Sequence, residues 1–448
     1  MSSCFDEFII NLCDGFDKNS IDYAVMRNYQ TLPLSPGGSD IDILIPTGDR
    51  ATCLILVRDI IERSGVFLMG VANSYSFSKI FVMGKSSSVD KDWWGVCLDI
   101  NFGLHYCGVR YVDQAFQMPI KDHLGIKVIQ DGPAGILGLL KELLNNESLV
   151  EKYINDSRSY ISSKDSELSS MLSPMGQECI TLLKELLVKD VADVNVKALN
   201  FKHMFLKKCF WQSPLVYVYK QGINYVNKIQ RYLKPSGKVI AFLGVDGAGK
   251  SSVINIIKPP LEMATHNNVF VKHLRPTILP PLAFYRVNFN KHQDEKSNTF
   301  EQPHLAPSSG NIVSLIRLVY LLIDYIVGYW FSIRKKIAQQ PSVIIYDRYA
   351  YDIGLDAKRF RISLKLNFIN FFINFVPKPD LTICLYGDPI VIYERKKELS
   401  FDEVVRQTES IKAFAHERKN TFMVNTSELD IAQVRDIVLT QIVNIYHD

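Results

Sequence analysis

The sequence predicts an α/β protein with a parallel sheet in its C-terminal half, an α+β domain at its N-terminus and a helical connector between them. Three observations lead to this fold class. After Lys238, short apolar runs alternate with helical stretches, which is the pattern of a parallel sheet covered by helices. Before Gly132, predicted strands with alternating apolar residues follow a first helix. Between these regions, apolar residues recur mainly at helical spacing.

Length and composition indicate a globular protein of several domains. The chain has 448 residues, 47% hydrophobic and 22% charged, enough for two or three domains. Its net charge of +4 argues against a dedicated nucleic-acid-binding protein. The eight cysteines form no C-x-x-C pair, which predicts reduced thiols rather than disulfides or a zinc site. An acidic start argues against a secretory signal, so we expect a cytoplasmic protein.

We expect three domains, at residues 1–130, 131–236 and 237–448. The first begins with a predicted helix at 5–16 and a predicted strand at 21–26. The clearest linker is 231–237, Arg-Tyr-Leu-Lys-Pro-Ser-Gly, because proline, serine and glycine interrupt regular structure.

A first candidate site lies in Gly38-Ser39-Asp40-Ile-Asp42, at the start of a predicted strand. Alternate strand residues share a face, so Asp40 and Asp42 point the same way. Two close carboxylates repel each other, and a divalent cation with oxygen ligands removes that repulsion. Asp99, in a later predicted strand, supplies a third carboxylate. The sequence predicts a Mg²⁺ site with a phosphate contact, formed by Asp40, Asp42 and Asp99 and by Gly38 and Ser39.

These residues resemble the nucleotidyltransferase superfamily, whose sequence mark is Gly-Ser followed by Asp-x-Asp, with a third aspartate on a later strand. The resemblance implies that the acidic residues hold the metals and that the Gly-Ser pair holds a nucleoside triphosphate. Segment 27–33, Arg-Asn-Tyr-Gln-Thr-Leu-Pro, resembles an uncharacterised branch of the same superfamily. A strand that ends in two solvated aspartates is the alternative. Lys79 either neutralises a phosphate or is a solvated strand residue.

Residues 132–229 have a helical pattern, with amphipathic stretches at 134–144 and 179–188. Lysines and glutamates on their outer faces indicate solvated surfaces rather than sites. Segment 312–333 is apolar over a membrane-spanning length but contains Arg317 and Asp324. Because charges at bilayer depth are costly, it predicts a buried helix with a charged face toward a polar site, and it leaves peripheral membrane contact open.

The C-terminal half is organised around Gly-Val-Asp-Gly-Ala-Gly-Lys-Ser-Ser at 244–252, between an apolar strand at 239–243 and a helical stretch. Glycines allow backbone N–H groups to curl around a polyphosphate. Lys250 reaches the β- and γ-phosphates, and the Ser251 hydroxyl holds Mg²⁺. The predicted ATP-binding residues are Gly244, Val245, Asp246, Gly247, Ala248, Gly249, Lys250, Ser251 and Ser252.

The remaining strands of this sheet are predicted at 269–274, 343–346, 381–385 and 421–424. Asp347 and Arg348 follow the third strand, at the edge where α/β sheets bind ligands. There the aspartate supports Mg²⁺ and the arginine binds phosphate oxygens, unless the two only cap a helix. Arg395 and Lys396 either close over the transferring phosphoryl group or end a solvated helix. The candidate catalytic residues are Lys250, Asp347, Arg348, Arg395 and Lys396.

This domain resembles the thymidylate kinase group of nucleoside-monophosphate kinases. The resemblance rests on the loop at 244–251, His-Leu-Arg-Pro at 273–276, Asp-Arg-Tyr at 347–349, and Pro-Asp-Leu at 379–381 followed by Glu394 and Arg395. It implies a P-loop NTPase fold with a five-stranded parallel sheet, transfer of the ATP γ-phosphate to dTMP with Mg²⁺, and a homodimer. The acceptor site it implies lies near Asp246, Arg275, Arg317 and Asp324.

The resemblance also implies a role for the lid. Because the loop has Gly247 where some family members have an arginine, Arg395 and Lys396 are expected to supply the missing charge. Two segments depart from the housekeeping enzymes: 284–297 is polar and turn-rich, and 350–361 resembles thymidylate-kinase-like proteins of surface-polysaccharide gene clusters. ATP binding is therefore better supported than the identity of the acceptor.

Two functions remain open from the sequence. The first is a kinase that phosphorylates dTMP or a related phosphorylated small molecule, fused to a metal-dependent nucleotidyltransferase. The second is a nucleotide-switched regulatory or defence protein with little net turnover, in which ATP binding changes the arrangement of the domains. A nucleic-acid-modifying transferase is disfavoured by the near-neutral charge.

Overall fold

The computed structural model describes residues 4–38, 40–86, 92–106, 109–112, 118–148, 150–188, 194–280 and 310–446. The chain divides into two compact units. The first is Met1–Gln230 with Met263–His266, and the second is Arg231–Glu262 with Asn267–Asp448. The division falls at the predicted linker, whereas most of the predicted helical connector lies within the first unit.

The first unit contains a seven-stranded mixed sheet and a separate two-stranded ribbon. The strands are β1 (Ala24–Val25), β2 (Asp40–Ile45), β3 (Phe67–Asn73), β4 (Phe77–Lys85), β5 (Trp93–Phe102), β6 (His105–Tyr106), β7 (Val109–Arg110), β8 (Ile120–His123) and β9 (Ile126–Ile129). The sheet order is β3-β4-β5-β2-β1-β9-β8, and β6 pairs with β7. The strand predicted at 21–26 is shorter, because only Ala24 and Val25 pair with β2.

Helices pack against this sheet. They are α1 (Phe5–Lys18), α2 (Arg50–Arg63), α3 (Asp131–Asn145), α4 (Glu151–Ser163), α5 (Asp165–Met171), α6 (Gln177–Val188), α7 (Val194–Gln212) and α8 (Pro214–Leu233), which crosses the boundary between the units. Helices α1 and α2 pack on one face of this sheet and α3 on the other, and the remaining helices of the unit extend from them. The predicted helices at 5–16, 134–144 and 179–188 are confirmed.

The alternation of side chains along β2 builds two separate cores. Ile41 and Ile43 belong to the core that also contains Phe8 of α1. Leu44 belongs to the other core, with Leu140 of α3. Asp42 therefore lies on the face of the sheet that α3 covers.

The second unit is built on a five-stranded parallel sheet. Its strands are β10 (Lys238–Gly244), β11 (Val269–His273), β12 (Val343–Asp347), β13 (Leu381–Tyr386) and β14 (Thr421–Asn425). The order is β11-β12-β10-β13-β14, and the central strand β10 pairs in parallel with β12 and β13. All five predicted strands are confirmed, and the sheet is consistent with a P-loop kinase fold. The carboxyl end of β10 lies where the strand order reverses, the usual ligand position in such sheets.

The helices of this unit are α9 (Lys250–Ala264), α10 (Asn311–Gly328), α11 (Arg334–Gln339), α12 (Asp352–Leu355), α13 (Leu366–Ile373), α14 (Pro389–Arg395), α15 (Phe401–His416) and α16 (Ile431–Asn444), and a π-helical turn (Tyr329–Ile333) joins α10 to α11. Asn311–Gln339 is long and apolar enough to cross a membrane, but 39% of its most apolar 18-residue stretch is buried inside the protein. Such length and apolarity also occur in core helices of globular proteins, so peripheral membrane contact stays a prediction.

Candidate functional site

The loop between β10 and α9 has the backbone expected of a phosphate-binding loop. Gly247 and Gly249 have φ values of 93° and 89°, a region that glycine enters without steric cost. A Cβ atom on Gly247 would lie 2.8 Å from the carbonyl oxygen of Ile392 in α14. On Gly249 a Cβ atom would meet nothing within 4 Å. Gly247 is therefore needed for its conformation and for the close approach of α14.

Lys250, the first residue of α9, is 6% exposed. Its Nζ donates hydrogen bonds to the carbonyl oxygens of Gly244 at 2.7 Å and Val245 at 3.0 Å. Burial, together with the nearby Arg348 guanidinium, lowers the pKa of Lys250 to about 8. The amine thus bonds back to the start of its own loop. Its protonation state depends on the charge of a ligand bound beside it.

Asp347 lies at the end of β12 and faces the start of α9. Its Oδ2 accepts a hydrogen bond from Ser251 Oγ at 3.4 Å, and His273 Nδ1 lies 3.7 Å from the same oxygen. Burial raises the pKa of Asp347, but His273 and Lys250 outweigh that effect and lower it. Oδ1 is buried without a hydrogen-bond partner, which is unusual for a carboxylate. The serine hydroxyl and the unpartnered oxygen fit a Mg²⁺ ion.

Asp246 is surrounded by cations. Arg348 donates to its Oδ1, Arg359 Nη1 lies 2.8 Å from its Oδ2, and Lys250 Nζ lies 3.8 Å from Oδ1. Burial raises the pKa of Asp246, but Arg348, Lys250 and Arg359 reverse the effect and hold it well below the usual range. Asp246 therefore stays ionised and joins the loop to the segment after β12.

Arg348 has a φ of 73°, which is rare for a residue with a side chain. Its Nη1 donates to Asp352 Oδ1 at 3.1 Å, while Nη2 donates to Asp246. The backbone N–H of Tyr349 donates to Asp352 Oδ2 at 2.9 Å. The guanidinium predicted to bind phosphate oxygens is thus held by two carboxylates, and Arg348 positions Asp246 and the loop.

The two predicted lid cations differ in their contacts. Arg395 Nη2 donates to the carbonyl oxygen of Thr426 at 2.9 Å, and Thr426 Oγ1 in turn donates to the carbonyl oxygen of Ala248 at 3.2 Å. Lys396 Nζ lies 3.2 Å from Glu398 Oε1, and about half of its side chain is exposed. Arg395 is therefore fixed against the phosphate loop through Thr426, whereas Lys396 pairs with a half-exposed glutamate.

These groups open into one cavity of about 560 Å³. The predicted residues that line it are Asp246, Gly247, Gly249, Lys250, Ser251, Ser252, Asp347, Arg348, Arg395 and Lys396. Gly244, Val245 and Ala248 belong to the loop but do not line this cavity. The structure thus brings the predicted ATP-binding and catalytic residues together.

The other residues predicted for the acceptor site do not line the cavity. Asp324 is fully buried and accepts hydrogen bonds from the N–H groups of Ile278 at 2.9 Å and Leu279 at 2.8 Å. Arg275 Nη1 lies 3.2 Å from the same carboxylate. Arg317 donates to the carbonyl oxygen of Phe360 at 3.0 Å. Asp324 and Arg317 hold backbone segments in place, Arg275 pairs with Asp324, and the acceptor role of all three stays a prediction.

The residues that sequence reasoning did not assign to the site include Arg359, Asp352 and Thr426. Arg359 and Asp352 belong to the Asp- and Arg-rich segment 350–361, so composition was the available signal. That segment follows β12, and its return to the loop could have been expected from the sheet edge at which β12 ends. Thr426 has no sequence signal beyond its position directly after β14.

The first unit brings together two of its three predicted acidic ligands. Asp42 of β2 lies opposite Asp99 of the parallel neighbour β5, as expected, while Asp40 is half-buried two residues earlier. Gly38 is exposed, and Ser39 lies outside the described residues. No group of three or more His, Cys, Asp or Glu side chains placed to hold a metal occurs in the part of the chain that the structure describes.

Basic side chains accompany this acidic pair. Lys79 pairs with Asp99, so it is neither free nor simply solvated. Lys141 of α3 bonds to Asp42, so the expectation that the connector lysines are all solvated is wrong for this residue. Burial raises the pKa of Asp42, but Lys141 and Arg27 outweigh burial and lower it to about 2.

No protein-family model matches the chain, and no curated protein matches it in sequence. Solved structures with similarity include thymidylate kinases from two organisms. The enzyme from Ehrlichia chaffeensis is 17% identical over 46% of this chain and 97% of its own, with a TM-score of 0.31. The enzyme from Candida albicans is 20% identical over 47% of this chain and 94% of its own, with a TM-score of 0.35. These values are too low to assign the chain to that family.

Proposed function

We propose that the second unit is an ATP-dependent phosphotransferase of the nucleoside-monophosphate kinase type. In this proposal the γ-phosphate of ATP moves to dTMP or to a related phosphorylated small molecule. The observation that carries it is the convergence of Lys250, Ser251 and Asp347 in one polar cavity of about 560 Å³ at the carboxyl edge of a parallel sheet.

The donor side follows from the loop geometry. ATP phosphates that enter the cavity would meet the start of α9, where backbone N–H groups and the helix dipole favour anions. Lys250 Nζ would exchange its bonds to two loop carbonyl oxygens for bonds to phosphate oxygens. Ser251 and Asp347 would hold Mg²⁺, which when bound neutralises charge on the β- and γ-phosphates.

The cavity also suits the charge that develops during phosphoryl transfer. Positioning and cations carry most of this chemistry, and no general base is required when the acceptor is already an anionic phosphate. Arg395 is fixed beside the loop by Thr426, and the half-exposed Lys396 would turn from Glu398 toward the bound phosphates. Together they would add positive charge to the cavity that Lys250 also lines.

An anionic acceptor is supported by Arg359. Arg359 lines the cavity, is partly exposed and pairs with the carboxylate of Asp246 at 2.8 Å. An arginine in this setting can offer its remaining N–H groups to a phosphate. The chemical class of the acceptor is therefore a phosphorylated small molecule, with dTMP as the first candidate.

The direct test is label transfer. Purified protein with Mg²⁺ and γ-labelled ATP is offered dTMP, other nucleoside monophosphates and phosphorylated sugars, and labelled products are separated. We expect transfer to at least one of these acceptors. The Lys250→Met variant should lose activity by about 10²–10³-fold, because one charge that stabilises the transition state is removed.

The matched control is Lys258→Met, on the same helix. Lys258 pairs with Glu262 at 3.4 Å and lies outside the cavity, so this variant should retain activity. Turnover of dTMP alone would reject a phosphorylated sugar as the acceptor. Tight ATP binding without transfer to any acceptor would instead favour the nucleotide-switched regulatory protein. Nucleotidyl transfer by the first unit stays a prediction from the sequence.

A further inference from the structure

The first unit contains a buried pair of carboxylates that needs positive charge. Asp42 and Asp99 lie opposite each other on the parallel strands β2 and β5, and they are 1% and 3% exposed. Two ionised carboxylates this close repel each other, and burial adds a desolvation cost. A divalent cation is one way to supply the charge, and basic side chains are the other.

The chain supplies the charge from three separate segments. Lys141 Nζ lies 2.8 Å from Asp42 Oδ1 and 3.6 Å from Asp99 Oδ2, so it bridges the two carboxylates. Arg27 Nε lies 2.5 Å from Asp42 Oδ2. Lys79 Nζ lies 3.3 Å from Asp99 Oδ2. Both oxygens of Asp42 and one oxygen of Asp99 therefore have a cationic partner.

Few carboxylate oxygens remain available to coordinate a metal ion. Mg²⁺ binds about six oxygens at about 2.1 Å, and Ca²⁺ needs at least as many. Asp99 Oδ1 is buried without a partner, and it is the one carboxylate oxygen of the pair that is still available. Asp40, half-buried two residues before Asp42, adds a second carboxylate. Within the described ranges these side chains do not form a group able to hold a metal.

The approach to the pair is also positive. The side chains of Arg27, Lys79 and Lys141 are 17%, 27% and 30% exposed, whereas the carboxylates beneath them are almost fully buried. A divalent cation that arrives from solvent would meet three like charges before it reached an oxygen. Entry would require the chain to give up at least one buried ion pair, which is costly when the partner stays behind.

We infer that the ammonium group of Lys141 occupies the position a divalent cation would take between Asp42 and Asp99, so that the first unit keeps its acidic pair without a metal. The pair is then a closed ion network, and it is unavailable for metal-dependent nucleotidyl transfer. This inference contradicts the metal role predicted for Asp40, Asp42 and Asp99. It is independent of phosphotransfer by the second unit.

Mn²⁺ binding tests the inference on the full-length protein without nucleotide. All variants carry Asp347→Asn, so that the carboxylate proposed to hold Mg²⁺ in the second unit is removed. Electron paramagnetic resonance of free Mn²⁺ then counts the bound ions. We expect no Mn²⁺ bound at the acidic pair at up to about millimolar metal, a range in which even weak oxygen sites fill. A site that binds Mn²⁺ in this background and is lost in Asp42→Asn would overturn the inference.

The Lys141→Met variant tests the role of the ammonium directly. It keeps the length of the side chain but removes the charge, so it should gain one Mn²⁺ site, and adding Asp42→Asn should abolish that site. Lys152→Met is the matched control: Lys152 bonds to Asn28 rather than to the acidic pair, so this variant should gain none. A folded Lys141→Met protein that gains no site would show that Lys141 is not the occupant. If the variant fails to fold, the comparison of the parent with Asp42→Asn still decides the question.

Discussion

The pH dependence of ATP binding tests the geometry of the phosphate loop. Lys250 is almost fully buried, and burial together with Arg348 lowers its pKa to about 8. A triphosphate next to Nζ favours the charged amine and should raise this pKa again. The bound state therefore holds more protons than the free state near and above pH 8. Affinity for ATP is then fully present below that pH and is lost as the pH rises through it.

The size of the effect follows from the pKa of the free protein. An amine with a pKa of about 8 is roughly 76% protonated at pH 7.5 and roughly 9% protonated at pH 9. If only the charged amine binds ATP, the Kd rises roughly eightfold over this range, or about 1.2 kcal/mol. Binding at pH 8 should take up about half a proton. The γ-phosphate is ionised throughout, because its second pKa lies near ~6.

Isothermal titration calorimetry measures both quantities. Mg-ATP is titrated at pH 7.5, 8 and 9, and at pH 8 in two buffers of different ionisation enthalpy, which gives the number of protons taken up. Lys250→Arg is the control, because a guanidinium with a pKa above about 12 stays charged throughout. Its Kd should change little with pH, and its proton uptake should vanish. A wild-type Kd that stays constant, or a Lys250→Arg profile equal to that of the wild type, would refute the reasoning.

Three further predictions concern the same cavity. Asp347→Asn should weaken ATP binding about tenfold or more when Mg²⁺ is present and change it little in EDTA, as measured with a fluorescent ATP analogue, because the metal would lose its charged ligand. Asp246→Asn should move the pH midpoint of ATP binding below 8, because Asp246 raises the pKa of Lys250. Arg348→Met should move the midpoint above 8, because Arg348 lowers that pKa. Calorimetry at several pH values checks both directions. Gly249→Ala should lower the free energy of unfolding, measured in urea, by about 1–2 kcal/mol, because its φ is unfavourable for alanine. Gly247→Ala should lower it further, because a Cβ atom at Gly247 also meets Ile392. Equal losses in the two variants would contradict this prediction.

The sheet of the second unit could be predicted because its three central strands, β12, β10 and β13, are buried on both faces. Such strands appear as unbroken apolar runs, and each of the five predicted runs ends within one residue of the observed strand. The loop at 244–252 could be predicted because its glycines and its lysine meet a local backbone requirement. The opposition of Asp42 and Asp99 followed in the same way from the alternation of side chains along two strands.

The partners of the charged residues were harder to predict, because they come from distant parts of the chain. Lys141 is 99 residues from Asp42, and Arg359 is 113 residues from Asp246. On its helix Lys141 is one of several polar residues beside an apolar face, and periodicity alone assigns it to solvent. Its long side chain nevertheless reaches back to the sheet beneath α3. Sequence patterns locate the acidic residues, but they do not reveal which cations arrive beside them.

The two units place aspartates on parallel strands in different electrostatic settings. In the second unit, Asp347 keeps a buried oxygen without a partner next to the hydroxyl of Ser251, so a metal ion would remove an existing deficit. In the first unit, Lys141 and Arg27 already bond to both oxygens of Asp42, so a metal ion would have to displace a bonded cation. Both settings contain a buried carboxylate oxygen without a partner, and Asp347 also lies near Lys250 and His273. What separates them is the direct pairing of Lys141 and Arg27 with the two oxygens of Asp42, which a metal ion in the first unit would have to break.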